Sequence, residues 1–472
     1  MGKMNNPLIP FLEPKQIAII GVSKTPDRPS YTIIRNLKDA GFDGEIYPVN
    51  PGGGQVLGLK IYKSIQDLPD NIDLAISMIS AEETLELLKS CAVKEIRNVI
   101  LSSSGFSDRG PRGMERQMEV VRFAKENGMR LMGPNAVGPI NTSNKLVLPF
   151  YPIDSTKKGG VAFIAQSGQF CCPVMEFANS YLHLGVSKSI DVGNCCDLDE
   201  SEVLEYLEGD KQTKVIAIYM ESIREGRRFF DVARRVSKKK PIVVFKSGKT
   251  EYGLKTAASH TGAMAVDDKI FDTALRQAGV IRAQDMDEFL DLAKTFDFNP
   301  IPRGNRVAVV TYSGGVGSIV ADACEEFGLK LTDLSKEAKR KIKPVLPPST
   351  RISNPLDCFS AGIPANVFNA CKVPLLAFMQ ARNIDLIVAC FMVNRIWTVD
   401  ARRLLSELKP LSVKKPIAAF VMGDYQRVRE STEILERGGI PVFGSPERAV
   451  RALGALWKYR KLSEKAPYAP LS

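Results

Sequence analysis

The chain has 472 residues, of which 44% are hydrophobic and 25% charged, and its formal net charge is +11. This composition is ordinary for a soluble globular protein, and at roughly 150 residues per domain the length suggests three domains. No apolar run approaches the ~20 residues of a membrane span, and residues 1–10 lack the hydrophobic region of a signal peptide. The basic residues are spread along the chain without a nucleic-acid motif, so we expect neither a nucleic acid nor a membrane as partner.

The cysteines indicate the cellular compartment of the protein and whether the chain binds a metal. The nine cysteines are an odd number and include no C-x-x-C pair, and histidine occurs only twice. We therefore expect reduced thiols in a cytoplasmic protein and no metal site in this chain.

The first predicted domain, residues 1–145, alternates β-rich runs with helical patterns, which is typical of a parallel α/β sheet. The predicted strands lie at 17–20, 45–49, 74–79, 98–101 and 130–132, and helices cover 31–40 and 81–91. Polar residues and glycines follow several strands at the carboxyl edge, where ligands bind in open α/β sheets. The candidate binding residues at these strand ends are Gly21, Ser23, Lys24, Arg28, Asn50, Pro51, Ser102, Ser103 and Gly105.

The turn after the first strand departs from the dinucleotide-binding fingerprint. Ser23 stands where the second glycine of G-x-G-x-x-G would be, and no acidic residue ends the second strand to bind a ribose diol. Lys24 and Arg28 supply positive charge beside this turn. These residues favour a nucleotide with phosphates and without nicotinamide chemistry.

Two further segments, residues 155–298 and 305–462, show the same alternation. Their main predicted strands lie at 161–164, 186–190, 215–219 and 241–245, and at 307–311, 386–391 and 417–421. The sequence therefore predicts an α/β protein in which a Rossmann-like domain precedes two flavodoxin-like, doubly wound parallel-sheet domains.

The second and third segments open alike. Each has a strand, then Ser-Gly, then a helical pattern, at 161–169 and at 307–315. Such a turn gathers backbone N–H groups at a helix N-terminus, which favours an anion. The alternative is that Ser-Gly is simply a good cap and turn.

His260, one of the two histidines, lies in Ala257-Ala258-Ser259-His260-Thr261-Gly262-Ala263. This stretch follows an apolar strand and a glycine-broken segment, and we predict it as a loop between a strand and a helix. A scarce, titratable nucleophile in that position is a candidate for chemistry. A surface histidine without function is the alternative.

The order of these motifs resembles the α subunit of nucleoside-diphosphate-forming acyl-CoA synthetases. The resemblance is to their ADP-forming acetyl-CoA synthetase branch, a relative of succinyl-CoA synthetase, and it covers nearly the whole chain. It is carried by the elements at 18–23, 46–51, 133–138, 166–168, 192–194, 219–221, 259–263, 314–315 and 354–357. The most specific of them is Ser259-His260-Thr261-Gly262-Ala263.

The resemblance implies a CoA-binding first domain and a reaction in which acyl-CoA, ADP and phosphate interconvert with free acid, CoA and ATP, with Mg²⁺. It implies that His260 is transiently phosphorylated and that Glu221 orients its ring, as a carboxylate can do by accepting from the distal ring N–H. It also implies that the strand-end residues of the first domain bind coenzyme A. The implied phosphate and acyl pocket comprises Asn135, Ser167, Gly168, Gly193, Asn194 and Gly262.

Two residues depart from the family pattern. Ser30 stands where the CoA loop usually carries a glycine, and Ala136 stands where a cysteine often follows Gly133-Pro134-Asn135. Because nothing after residue 300 resembles an ATP-grasp domain, we expect a separate β subunit that holds ADP, ATP and Mg²⁺, in a hetero-oligomer such as α2β2. The sequence does not name the preferred carboxylic acid, and it does not decide between ADP and GDP as the nucleotide.

Two other functions remain as alternatives. A non-catalytic protein that senses CoA or a nucleotide could use the same scaffold, although it would not require His260 and Glu221. A Rossmann oxidoreductase is the other, against which the absent glycine fingerprint counts.

Overall fold

Three mainly parallel sheets organise the chain. The computed structural model describes residues 6–26, 28–154, 156–261, 267–359, 367–395, 398–408 and 415–464, with the backbone alone for 257–261. The chain divides into two units, Met1–Gln284 and Asp285–Ser472. The first unit contains two of the parallel sheets and the second unit contains the third. The division into three domains, one for each sheet, stays our proposal.

The first sheet is formed by the strands predicted at the start of the chain. Its strands are β1 Gln16–Ile20, β2 Glu45–Val49, β5 Leu74–Ser77, β6 Asn98–Leu101 and β7 Arg130–Met132, with a separate hairpin of β3 Gly54–Val56 and β4 Leu59–Ile61. Its helices are α1 Ile9–Leu12, α2 Pro29–Ala40, α3 Thr84–Val93 and α4 Pro111–Glu126, and a 3-10 turn covers Ser107–Arg109. The strand order is β2-β1-β5-β6-β7, all parallel. The direction of winding therefore reverses between β1 and β5, where doubly wound sheets bind ligands.

The second sheet repeats this winding. Its strands are β8 Ile140–Asn141, β9 Leu146–Val147, β10 Lys158–Ala165, β11 Val186–Asp191, β12 Val215–Met220, β13 Ile242–Lys246 and β14 Ile281–Ala283. Its helices are α5 Gly168–Cys171, α6 Pro173–Ser180, α7 Glu200–Gly209, α8 Gly226–Val236, α9 Glu251–Thr261 and α10 Asp268–Gln277. The order is β14-β13-β12-β10-β11-β8-β9. The antiparallel hairpin β8–β9, which the sequence did not indicate, adds to the edge at β11.

The two sheets of Met1–Gln284 share one hydrophobic core. Ile19 and Ile76 of the first sheet belong to the same buried cluster as Ile164 and Ile218 of the second, and all four are at most 2% exposed. Burying such side chains stabilises each by roughly 1.5–3 kcal/mol. The common core therefore fixes the position of one sheet relative to the other.

The third sheet winds in the same way. Its strands are β15 Arg306–Thr311, β16 Lys330–Leu331, β17 Leu356–Asp357, β18 Leu386–Val393, β19 Ile417–Gly423 and β20 Val442–Phe443. Its unit contains the helices α11 Met286–Phe298, α12 Gly314–Glu326, α13 Lys336–Ile342, α14 Val367–Gln380, α15 Ala401–Leu408, α16 Tyr425–Arg437 and α17 Pro446–Glu464, with a 3-10 turn at Lys343–Val345. The order is β16-β15-β18-β19-β20, with β17 beside β15. Among the described residues, no helix is long and apolar enough to cross a membrane.

The environment of His260 differs from the sequence-based expectation. We predicted a loop, which is wrong for residues 251–261, because helix α9 continues through Thr261. Gly253 costs about 1 kcal/mol in a helix interior, but Leu254, Lys255 and the alanines that follow are good helix formers. Gly262 lies outside the described residues.

A buried ion pair in Asp285–Ser472 provides a test of the packing in that unit. Lys294 on α11 donates to Glu436 on α16 at 2.8 Å, and the two side chains are 2% and 1% exposed. We expect Lys294→Met to lower the free energy of unfolding by about 3–5 kcal/mol, because it leaves an uncompensated buried carboxylate. Calorimetry of the full chain measures this loss.

The double variant Lys294→Met/Glu436→Gln should recover part of that loss. Arg437→Met is the matched control, because its ion pair with Glu433 is exposed and such pairs contribute only about 0–1 kcal/mol. Equal effects of Lys294→Met and Arg437→Met would contradict the prediction.

Candidate functional site

Residues predicted to form the phosphate and acyl pocket come together at the carboxyl edge of the second sheet. Strands β11, β10 and β12 are neighbours, and they end at Asp191, Ala165 and Met220. The loops that follow them contain three sequence-predicted groups, which are Gly193-Asn194, Ser167-Gly168 and Glu221. This is the point where the winding reverses, between β10 and β12, and where open α/β sheets bind ligands.

A buried carboxylate connects these loops to the first sheet. Asp191, the last residue of β11, is 0% exposed. Its carboxylate oxygens accept from the N–H of Val137 at 2.8 Å and from the N–H of Gly193 at 3.0 Å. Burial raises the pKa of Asp191 to about 6, these two N–H groups lower it, and the nearby charge of Glu221 raises it further. Sequence reasoning missed Asp191, whose only signal was its position directly before Val192-Gly193-Asn194.

The turn at Gly193 contacts the loop that follows β7. Gly193 has φ +53°, and a Cβ there would lie 2.2 Å from the carbonyl oxygen of Pro134, so the position requires glycine. The N–H of Asn194 donates to that same carbonyl at 2.9 Å. The next residue of the β7 loop, Asn135, is exposed and donates its N–H to the carbonyl of Ser103 at 3.0 Å. Candidate residues from both sheets are therefore in direct contact.

The side chain of Asn194 extends this contact. Its amide nitrogen donates to the hydroxyl of Ser107 at 3.2 Å and to Asp108 at 3.3 Å. Asp108 also accepts from the N–H groups of Gly105 and Phe106 and so shapes the turn after β6. Asp108 is a second residue that the sequence analysis did not select.

Gly168 permits a second close approach. A Cβ at this position would lie 2.5 Å from Cγ1 of Val137. Gly168 begins helix α5, which has only four residues, and a new helix starts at Pro173. Ser167 and Gly168 therefore form a tight turn beside Val137 that leads into a helix of four residues.

Glu221 is oriented through both its backbone and its side chain. Its N–H donates to Oε1 of Gln166 at 2.7 Å. Its carboxylate accepts from the hydroxyl of Tyr219 at 3.2 Å. The ring of Tyr219 stacks on Phe170, with centroids 3.7 Å apart and planes at 7°. Burial, together with the charge of Glu221, raises the pKa of Tyr219 to about 12, so its hydroxyl keeps the proton that it donates at neutral pH.

Helix α9, which contains His260, begins after β13, the strand next to β12. It packs against the 3-10 turn Ser107–Arg109, whose Ser107 and Asp108 bind the side chain of Asn194. The backbone of α9 therefore lies beside this edge, while the side chain of His260 lies outside the described residues.

The residues predicted to bind CoA lie at the carboxyl edge of the first sheet. The N–H of Gly21 donates to the carbonyl of Val49 at 3.0 Å, and Asn50 donates to the carbonyl of Val22 at 3.0 Å. These bonds join the ends of β1 and β2. Pro51 follows Asn50 and is exposed, and Gly105 lies in the turn after β6.

Two hydroxyls at this edge lack a partner, and two cations beside it are exposed. The hydroxyls of Ser102 and Ser103 are buried without a hydrogen-bond partner in the described part of the chain. Lys24 and Arg28 are exposed at the start of the adjacent turn and helix. Ser30, the departure from the family pattern, accepts from the N–H of Ser23 at 2.9 Å. Unpaired hydroxyls and exposed cations fit a ligand that contains phosphate and amide groups.

Comparison with known proteins identifies the family. The CoA binding domain model matches residues 15–142, the succinyl-CoA ligase like flavodoxin domain matches 158–296, and the ligase-CoA domain matches 307–467. The chain is 36% identical to the α subunit of acetate–CoA ligase (ADP-forming) II of Pyrococcus furiosus, over 96% of this chain and 97% of that subunit. The chain belongs to the ADP-forming acetate–CoA ligase family.

Other members of this family extend the comparison. The chain is 41% identical to acetate–CoA ligase (ADP-forming) II of Archaeoglobus fulgidus. The match covers 95% of this chain and 66% of the Archaeoglobus fulgidus protein. The acetyl-coenzyme A synthetase 1 of Ca. Korarchaeum cryptofilum, solved in complex with phosphate and ADP, superimposes with a TM-score of 0.91 at 33% identity. That match covers 97% of this chain and 98% of the solved chain.

These matches confirm the resemblance found in the sequence. They confirm the α/β fold class, with a CoA-binding domain followed by two ligase domains. Membership in a ligase family also decides against the oxidoreductase alternative.

The pKa of Asp191 gives a prediction on stability. The folded-state pKa of about 6 lies above the ordinary value of 3.8, so the folded state binds this proton more tightly than the unfolded state. The stability that Asp191 contributes is therefore greatest in acid and is lost as the pH rises. Relative to Asp191→Asn, we expect the free energy of unfolding of the wild type to fall by about 2 kcal/mol between about pH 4.5 and 7.

Urea unfolding of both proteins at several pH values measures this difference. Asp385→Asn serves as the control of opposite sign, because hydrogen bonds from Arg306 outweigh burial and lower the pKa of Asp385. Relative to that variant, the wild type should gain stability as the pH rises through the ordinary value of 3.8 and should change little between about pH 4.5 and 7. A difference for Asp191→Asn that does not change with pH would show that the buried carboxylate is not perturbed.

Proposed function

We propose that this chain is the catalytic α subunit of an ADP-forming acyl-CoA synthetase. The reaction is acyl-CoA + ADP + phosphate ⇌ carboxylic acid + CoA + ATP. The observation that carries the proposal is the convergence of Gly168, Asn194 and Glu221 at one sheet edge, with helix α9 beside it, in a chain of this ligase family. The same edge contacts the predicted CoA residues through the bond from Asn135 to Ser103.

The chemistry requires a carrier for the phosphoryl group, and His260 is our candidate. Phosphate displaces CoA from the acyl group and forms an acyl phosphate. A neutral imidazole nitrogen then attacks the phosphorus, which releases the carboxylic acid and leaves a phosphohistidine. Transfer of the phosphoryl group to ADP regenerates the imidazole and forms ATP.

Glu221 is the proposed orienting partner of His260. A carboxylate that accepts from the distal ring N–H would fix the tautomer and stabilise the positive charge that forms on the phosphorylated ring. The bonds from Tyr219 and Gln166 give Glu221 a defined position for this role. The turn at Ser167-Gly168, with Asn135, Gly193 and Asn194, would surround the phosphate and the acyl group. Gly262 completes the proposed pocket.

The CoA site is proposed at the first sheet. Gly21, Ser23, Asn50 and Pro51 line the point where the winding reverses, and Lys24 and Arg28 would pair with phosphates. The unpartnered hydroxyls of Ser102 and Ser103, next to Gly105, would bind the arm of coenzyme A that ends in its thiol group.

A second subunit is part of the proposal. The Pyrococcus furiosus relatives are named α subunits, and this chain spans 97% and 98% of two of them. We propose a β partner with an ATP-grasp domain that holds ADP, ATP and Mg²⁺, in an α2β2 assembly. We place the enzyme in the cytoplasm, which suits nine buried thiols.

A short-chain acid is the proposed substrate. The relatives at 41% and 36% identity are named acetate–CoA ligases, while those named for 4-hydroxybutyrate and trans-feruloyl-CoA are 32% identical. Acetate is therefore the first acid to test.

Transfer of label from γ-labelled ATP to the protein tests the proposal. With a β partner and Mg²⁺, we expect an acid-labile, base-stable label on the wild-type chain that acetate and CoA discharge. In His260→Ala the label should fall to background, and turnover should fall at least about a thousandfold, because the carrier is gone.

The second histidine provides the matched control. His183 has φ +52°, so His183→Asn keeps a residue that tolerates this conformation, and labelling should be unchanged. A competent β partner that leaves no label on the wild-type chain, despite tight CoA binding, would refute the proposed function and favour a CoA sensor.

A further inference from the structure

We infer that Gln166 is a positioning residue that holds the Glu221 loop in place for phosphoryl transfer. This inference rests on the proposed function. The observation behind it is that one buried side chain binds the N–H of Glu221 and both the N–H and the carbonyl of Ser222, just beyond the end of β12.

The side-chain amide of Gln166 is fully used. Its oxygen accepts from the N–H of Glu221 at 2.7 Å and from the N–H of Ser222 at 2.9 Å. Its nitrogen donates to the carbonyl of Ser222 at 3.0 Å and to the carboxylate of Glu200, and it also lies 3.8 Å from Sγ of Cys195. A glutamine amide offers two acceptor positions and two donors, so each is matched. Gln166 itself is only 7% exposed.

These bonds take the place of strand pairing beyond the end of β12. The parallel register of β12 ends at the pair Ala165–Tyr219 with β10 and at the pair Met220–Lys246 with β13, so neither strand continues to Glu221. Backbone N–H groups that lose a partner cost free energy, and Gln166 supplies one for two successive residues. The direction in which the chain leaves β12, and with it the position of the Glu221 carboxylate, therefore depends on Gln166.

The position of Gln166 along the chain gives it a second connection. It directly precedes Ser167-Gly168, the turn proposed to meet the phosphate. One residue thus links the phosphate turn after β10 to the orienting carboxylate after β12. Displacements of about 1 Å at a reacting centre can cost a hundredfold in rate.

Two variants separate positioning from general stability. Gln166→Leu removes all the hydrogen bonds of this side chain at similar volume. In the complex with a β partner, we expect kcat to fall roughly 10- to 100-fold while the KM for CoA changes less than about twofold, because the CoA residues lie on the first sheet. In the full chain, hydrogen exchange at the amides of Glu221 and Ser222 should be at least about tenfold faster.

Gln166→Glu tests the same role through pH. The titratable and charged groups that face position 166 are Glu200 on α7, Cys195 after β11 and Glu221 after β12, with Arg224 bound to the carbonyl of Cys195. An ionised glutamate would face Glu200 and the Ser222 carbonyl without a donor, whereas a protonated one supplies a donor again. We expect the ratio of variant to wild-type kcat to rise several-fold as the pH falls from about 8 to 6.

Gln212→Leu is the matched control. Gln212 precedes β12 at the opposite end, where it donates to Thr142 and Gly159, and the same substitution there should leave kcat and exchange at Glu221 unchanged. The inference is overturned by unchanged exchange in Gln166→Leu, by unchanged kcat despite faster exchange, or by a Gln166→Glu ratio that does not vary with pH. A wild-type chain that is never phosphorylated would refute the proposed function instead, and the exchange result would still decide whether Gln166 holds this loop.

Discussion

The arrangement of the candidate site depends on the Asp191 carboxylate. A buried charge is expensive unless it is hydrogen-bonded, and here its partners are two backbone N–H groups that belong to different loops. Burial outweighs these two bonds, since the pKa of Asp191 stays raised to about 6, so the loss of either bond would leave the buried carboxylate with still less compensation. Val137 follows the first sheet and Gly193 follows β11 of the second. The carboxylate therefore joins the two sheet edges at the contact between the proposed phosphate and CoA sites.

Small residues make this contact geometrically possible. The Pro134 carbonyl occupies the space that a Cβ of Gly193 would need, and Val137 occupies that of Gly168. The backbone of one sheet edge can therefore approach the other closely enough for direct bonds, such as the one from Asn194 to Pro134. The exposed side chain of Asn135 lies at this contact and is available to a ligand.

The sequence predicted the strands and the edge well, because both follow from local patterns. Apolar runs gave β1, β2, β6 and β7 within a residue of their bounds, and the predicted strand at 215–219 placed Glu221 at the end of β12. Roles that depend on partners distant in sequence could not be found in this way. Asp191 and Gln166 are each defined by bonds to residues about 54 to 56 positions away. Helix α9 was missed for another reason, since its glycine suggested a loop while tertiary packing and the following residues favour a helix.

The second and third sheets show that neighbouring residues determine which structure a Ser-Gly motif forms. Both wind in the same order, and both follow their first strand with Ser-Gly. In the third sheet Ser313 accepts from the N–H of Val316 and begins a helix of 13 residues, which is the structural role expected of an N-cap. In the second, Ser167 makes no such bond among the described residues, and its helix ends after four residues. The difference lies in the neighbours. Val137 lies against Gly168, and Gln166 binds the Glu221 loop. Ser-Gly therefore caps a long helix in the third sheet and forms a tight turn near the Glu221 carboxylate in the second.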